Sequence, residues 1–199
     1  MPLWLLVPAA LVAQAPTPAP VTPQALDQVQ ALVTAIPEAL VDGKRGAMTG
    51  LVAKAKAGWE AAKPGLLKTV PESEAGFIDR QFKSMLKMKP REQAIGALGI
   101  CNTLSRFQGR SRKQDLAQAN RVAMMAWCGV DATMWAPMPN VDMAFKPLIE
   151  QDNGAHALAI VGVQDALKRF QESAAKHQAA PAKKALKELM NLAQVLAKG

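Results

Sequence analysis

The sequence has no tyrosine, only two histidines and two cysteines in 199 residues, and aromatic side chains make up just 5% of it. Each scarcity removes a class of chemistry. A zinc hydrolase takes three protein ligands, mostly histidine, and keeps one position open. His156 and His177 stand far apart, with no H-E-x-x-H around either. No C-x-x-C-H is present, which removes covalent haem attachment of the usual kind. There is no G-x-S-x-G nucleophile elbow. A serine or cysteine nucleophile needs a partner base, whereas Cys101, in GICNTLS, falls on an apolar helical face, where a thiol is inert. The acidic turn Glu150–Gly154 lacks the alternating oxygen ligands and closing glutamate of a calcium loop and reads as a turn with a cap. β-branched residues are thinly spread and no apolar–polar alternation argues for a sheet. Beyond the first residues, no apolar run approaches the roughly 20 residues needed to cross a bilayer.

Alanine and leucine dominate instead, and both enter helices at little cost. MPLWLLVPAALVAQA opens the chain without a charge. Leu3–Val12 form a short apolar run and Ala13-Gln14-Ala15 a small-x-small cleavage pattern, which predicts a signal peptide over residues 1–15 and an exported protein, periplasmic or secreted. No lysine or arginine precedes the apolar run, a departure from the usual pattern. Residues 16–22 form a Pro-rich, flexible, disordered leader. A helical domain over 23–199 follows.

The first helix starts at Pro23 behind a Thr22 cap. It carries Leu26, Val29, Leu32, Val33, Ile36 and Leu40, and Gly43 closes it. The second carries Met48, Leu51, Val52, Ala55 and Trp59 and ends before Pro64, with PGLLKTVP as a connector. Pro71 opens the third, with Glu72 and Glu74 complementing the helix dipole and a face of Phe77, Ile78, Phe82, Met85 and Leu86. Pro90 opens the fourth, lined by Ile95, Leu98, Cys101, Leu104 and Phe107, with Gly109 past its end. Ser111 and Gln114 have capping-box spacing and start a fifth that runs to about Ala132. Asn140 caps a short sixth with Phe145, Leu148 and Ile149. A seventh carries Ile160, Val163, Leu167 and Phe170, and Pro181 opens an eighth with Leu186, Leu189, Met190, Ala193 and Leu196. The pattern predicts an all-α protein, a compact orthogonal or up-down bundle of about six to eight helices.

The stretch Asn120–Pro139 concentrates methionine, tryptophan and cysteine. Thioethers and thiolates suit Cu(I), and Met124 with Cys128, or Met134 with Met138, are spaced to face one ion. Pro137 and Pro139 break the helix around Met138, however. The fifth helix is apolar on two sides, which places it inside the bundle with its methionines as filler and Asp131 as an acceptor for an indole N–H. No cofactor is expected, and a copper or haem carrier stands as an alternative.

Export favours a disulfide between Cys101 and Cys128. On a straight hairpin turning near Gln108–Ser111 the two would lie about 13 Å apart along the helices, beyond the roughly 7 Å limit for bridged Cα atoms. Both the bonded and the reduced, buried states are therefore open.

The net charge of +8 gives a basic surface that attracts anions. Lys87, Lys89 and Arg91 form one patch; Arg106, Arg110, Arg112 and Lys113 form a second; Lys183, Lys184 and Lys187 form a third. Met together, the first two would suit an anionic envelope polymer or lipid surface rather than nucleic acid, although basic runs are usually solvated faces. The reading as a whole is an exported helical binding or structural module, non-enzymatic, of unknown partner. The alternatives are the anionic-surface binder, the Met/Cys metal or haem carrier, and an enzyme of unseen chemistry. The charges to locate in three dimensions are Asp79, Arg80, Arg121, Asp131 and Glu150, because a buried charge needs a paired or functional explanation.

Overall fold

The computed structural model describes residues 23–109, 111–135, 140–152 and 154–196. The expected signal peptide and leader lie outside the described residues, as do Arg110 and Met138. The described chain is all α-helical: α1 (Pro23–Val41), α2 (Met48–Leu66), α3 (Glu72–Met85), α4 (Pro90–Ser105), α5 (Arg112–Asp131), α6 (Val141–Glu150), α7 (Ala157–Ala175) and α8 (Ala179–Leu196), with a 3-10 turn at Arg45–Ala47 between α1 and α2.

Local chemistry sets most boundaries where the sequence places them. Gly43 stops α1 by adopting φ +76°, a conformation glycine enters without a Cβ penalty. The Ser111 hydroxyl accepts from the Gln114 amide at 3.3 Å and caps α5, and Asn140 Oδ1 does the same for α6 from Met143 at 3.2 Å. Two expectations need correction. The second helix does not end before Pro64 but runs through it to Leu66. Proline removes one donor, yet the last turn survives because Leu67 still donates to the Lys63 carbonyl at 3.0 Å and Leu66 is buried in the core. The apolar face of α4 also differs. Ile95 is 52% exposed, and the buried residues are Ala94, Ala97, Leu98, Ile100, Cys101 and Leu104. A helix touched by α1, α2, α3 and α5 buries more than one stripe, and small alanines let its neighbours approach closely.

The bundle has two halves. α4 lies at the centre of the first, against α1, α2 and α3; α5 lies at the centre of the second, against α6 and α8, while α7 and α8 pack extensively as a pair. α4 and α5 join the halves as consecutive helices. As expected for a two-sided helix, α5 buries Ala119, Ala123, Met124, Ala126, Trp127, Cys128 and Val130, although Met125 is 48% exposed. Asp131 is not the indole acceptor expected of it. It is held by Lys183 and by Arg45 at 3.5 Å, because Lys183 lies 4.4 Å above the Trp127 ring and brings a cation to that corner. Trp59, fully buried, instead donates its indole N–H to Asp79 Oδ1 at 2.7 Å.

This burial pattern predicts contrasting costs along one helix. Ile100→Ala is expected to lose about 2–5 kcal/mol of unfolding free energy, and Ile95→Ala less than about 0.5 kcal/mol. Urea unfolding of both variants checks it, and equal losses would mean that α4 is rotated from the face described.

Candidate functional site

α1 carries Gln30, Thr34 and Glu38 at four-residue spacing, so they form one polar stripe beside the buried Val29, Val33, Ile36 and Leu40. That stripe does not face water alone. It faces α5, where Gln114, Ala117 and Asn120 share a side, and the end of α8 at Gln194. α1 and α5 touch only lightly, and alanines at positions 31 and 117 leave space between them. The result is a cavity of about 350 Å³ along the seam of the two halves. A second space of about 180 Å³, walled by Val41, Met124 and Met190, continues from it. Glu38, Asn120 and Gln194 line both spaces, so the two form one groove.

Ion pairs mark the ends of the groove. Asp27 accepts from Gln108 Nε2 at 2.8 Å and pairs with Lys113. Asp42 pairs with Lys187 at 2.9 Å and Lys44 at 3.4 Å, and the hydrogen bond and charge of Lys187 lower its pKa. Glu38, between them, has no described cation within ion-pair distance. Its side chain reaches solvent, yet enough protein surrounds the carboxyl that desolvation raises its pKa, with Asp42 adding to the rise. Three amide oxygens on the walls, Gln30 Oε1, Gln108 Oε1 and Asn120 Oδ1, are buried without a hydrogen-bond partner. Buried polar groups are nearly always satisfied, so three in one groove mark it out.

The basic residues do not converge. Lys87, Lys89 and Arg91 lie at the start of α4 and Arg106 just past its end, 16 residues later, which at 1.5 Å per residue separates them by about 24 Å. Arg106 pairs with Glu74 at 3.3 Å. Arg112 reaches Asp152 at 3.4 Å and the Leu196 carbonyl, and Lys113 is committed to Asp27. Lys87, Lys89 and Arg91 are exposed, with no carboxylate in ion-pair range among the described residues. Of the remaining charges, Asp79 pairs with Lys63, Glu150 with Lys146 at 3.6 Å, and Arg80 is exposed. Arg121 is the exception. It is 5% exposed, donates to Gln118 Oε1 at 2.5 Å and leaves Nη1 unpartnered. Burial lowers its pKa, and the nearby Cys101 opposes that shift.

Cys101 and Cys128 are both buried and free. Cys101 contacts Thr34 Oγ1 at 3.5 Å; burial raises its pKa against the pull of Thr34 and Arg121. Burial, with Asp131, pushes Cys128 up to about 12, while Arg91 and Lys183 pull down. The charge of Arg91 acts on Cys128, whereas those of Arg121 and Glu38 act on Cys101. Arg91 and Cys101 are about 15 Å apart along α4. Met124 is buried on the groove side and Met134 is 62% exposed beyond α5. Among the described residues, no three His, Cys, Asp or Glu side chains come together as a metal set.

Both histidines sit at helix ends. His177, at φ +53°, stacks on Trp135 with ring centroids 5.2 Å apart. His156 donates its backbone N–H to Asp152 Oδ2 at 2.8 Å, and its Nδ1 lies 2.6 Å from Oδ1. Asp152 is buried and joins the α6–α7 turn to α5 through Arg112. The backbone bond from His156 leads in lowering its pKa, desolvation opposes, and the His156 ring and Arg112 add to the lowering.

The groove residues on α1 and α8 fall outside the sequence-level candidates. Their signal is a polar stripe, Gln30-Thr34-Glu38, interrupting an otherwise apolar helix. Compared with family models, curated proteins and solved structures, the chain matches none.

Two measurements follow from these environments. Both thiols are expected to resist a disulfide reagent in the native protein and to react, two per chain, once it is unfolded; a two-dalton mass gain on reduction would show a bond instead. Asp152 has a folded-state pKa below its unfolded value of about 3.9, so its stabilisation is present above that value and fades as pH falls through the folded one. Asp152→Asn should lower the urea midpoint at pH 7 and differ progressively less from wild type as the pH falls below 4.

Proposed function

We propose that the protein is a binding module whose ligand occupies the groove between α1, α5 and α8. The observation that carries this reading is the set of three buried, unpartnered amide oxygens on Gln30, Gln108 and Asn120. Leaving such a group unsatisfied costs about 1–3 kcal/mol, a cost a ligand in the groove would remove. The larger space, about 350 Å³, lies at the small end of the range for ligand sites, and its mix of apolar wall and a few convergent polar groups fits that class. The buried faces of α4 and α5 supply the rigid frame a binding site needs.

Export through a cleavable leader over residues 1–15 belongs to the same proposal and rests on the apolar run and the small-residue motif at Ala13–Ala15. The basic surface supports a weaker second reading, contact with an anionic polymer or lipid surface. Its footing is Lys87, Lys89 and Arg91, exposed and with no described carboxylate in range.

A plug tests the groove. Ala117 is half-buried on α5, and leucine has nearly alanine's helix propensity. Ala117→Leu is expected to change stability by less than about 1 kcal/mol and to abolish the chemical-shift changes that a library of small polar molecules produces at Thr34, Asn120 and Gln194. A library that perturbs none of these amides in wild type would sink the reading.

A further inference from the structure

We infer that the groove takes a small aliphatic primary amine, with Glu38 as counter-ion and the Gln30 and Asn120 amide oxygens as hydrogen-bond acceptors. This rests on the groove being the binding site. The first argument is the sign of what is missing. The unpartnered wall atoms of the groove are all acceptors: Gln30 Oε1, Gln108 Oε1 and Asn120 Oδ1. For Gln108 the choice of atom is fixed, because its amide nitrogen is occupied by Asp27. Gln30 and Asn120 are 6% and 8% exposed, so bulk water does not substitute freely. Buried amide oxygens without a partner call for a donor, and an ammonium offers three N–H donors.

The second argument is charge. Asp27 and Asp42 are each neutralised by lysine. Glu38, in a chain with 24 basic and 16 acidic residues, has no described cation in range and lines both parts of the groove. It stands where an ammonium held by Asn120 would meet a carboxylate, and a charge-assisted bond there is stronger than a neutral one. Arg121 does not line the groove; its charge and that of Glu38 both act on Cys101, in opposite directions.

The third argument is the wall. Ala31, Leu116 and Ala117 in the larger space and Val41, Met124 and Met190 in the smaller one offer methylene-compatible surface. Among the described residues no aromatic side chain lines either space, so the stacking platform that cation–π ligands use is not provided by them. A free amine and a lysine side chain share this chemistry.

The test uses the full chain and three four-carbon probes that differ only in their ends: diaminobutane, butanediol and succinate, with lysine amide acetylated on its α-nitrogen as a fourth. Titrations followed by amide chemical shifts should show diaminobutane binding at the groove, with butanediol and succinate at least tenfold weaker. Glu38→Gln, at an exposed position, should keep the wild-type melting temperature and weaken diaminobutane at least tenfold, about 1.4 kcal/mol. Asn120→Asp should tighten it. Equal affinity for the acetylated lysine amide would assign the site to lysine side chains of a partner, and preference for diaminobutane to a free amine. Tighter binding of butanediol or succinate at the same amides would overturn the amine inference and leave the groove standing as a binding site. Unchanged diaminobutane affinity in Glu38→Gln would also overturn it.

Discussion

The packing of the α4–α5 hairpin is the constraint on which the rest of the structure depends. Each arm is the centre of one half of the bundle, and each is covered on several sides rather than along one stripe. Small residues make this work. Ala94 and Ala97 on α4, and Ala119, Ala123 and Ala126 on α5, are all buried and let neighbouring helices approach the axis closely. Large fillers then close the remaining gaps: Ile100 and Leu104 from one arm, Met124 and Trp127 from the other. Interiors at crystal-like density leave little slack, so the turn between the arms fixes how the two halves meet.

The groove is a by-product of the same arrangement. Once α4 and α5 set the two halves in place, α8 packs along α5 while α1 touches it only lightly, and alanines at positions 31 and 117 leave a gap at the seam. A gap walled only by apolar side chains would be a dry cavity. This one instead collects Gln30, Asn120 and Gln194. Polar residues at a helix seam weaken packing relative to hydrophobic ones, and an orphaned amide oxygen is a further loss. Stability alone would favour leucine there. Their presence at the seam is what supports the proposed binding role.

Much of the architecture was readable in the sequence because helix chemistry is local. Caps at Ser111 and Asn140, the stop at Gly43 and the periodic apolar residues act within one or two turns of themselves. What failed was whatever depends on neighbours. Ile95 matches the apolar period of α4 but faces water, since the period cannot say which stripe a four-neighbour helix buries. Pro64 reads as a breaker, yet Leu66 beyond it has a core to enter. Asp131 reads as an indole acceptor until Lys183 arrives from α8. The groove was harder still. Its polar stripe on α1 resembles an ordinary solvated face, and its meaning comes only from α5 and α8, far away in the chain. The basic residues fail in the opposite way: close together in sequence, the two patches are separated by the length of α4, and Arg106, Arg112 and Lys113 are paired with carboxylates from elsewhere in the chain.

Charge distribution gives the last constraint. A protein with net charge +8 repels cations at long range, though that field is screened over roughly a Debye length of 8–10 Å. Within the groove the count differs. Asp27 and Asp42 cancel Lys113 and Lys187, and Glu38 remains as a local negative charge in a partly desolvated setting, where short-range interactions are stronger than in bulk water. The raised pKa of Glu38 has the same physical origin, because a carboxylate without a cation is disfavoured when water is withdrawn. An ammonium beside it would reverse that shift by supplying the missing opposite charge. Arg121 is the complementary case on the other side of Thr34 and Cys101: a buried cation held by a neutral glutamine, with no described carboxylate in range. Of these two charges without a described ion-pair partner, only the acidic one lines the groove.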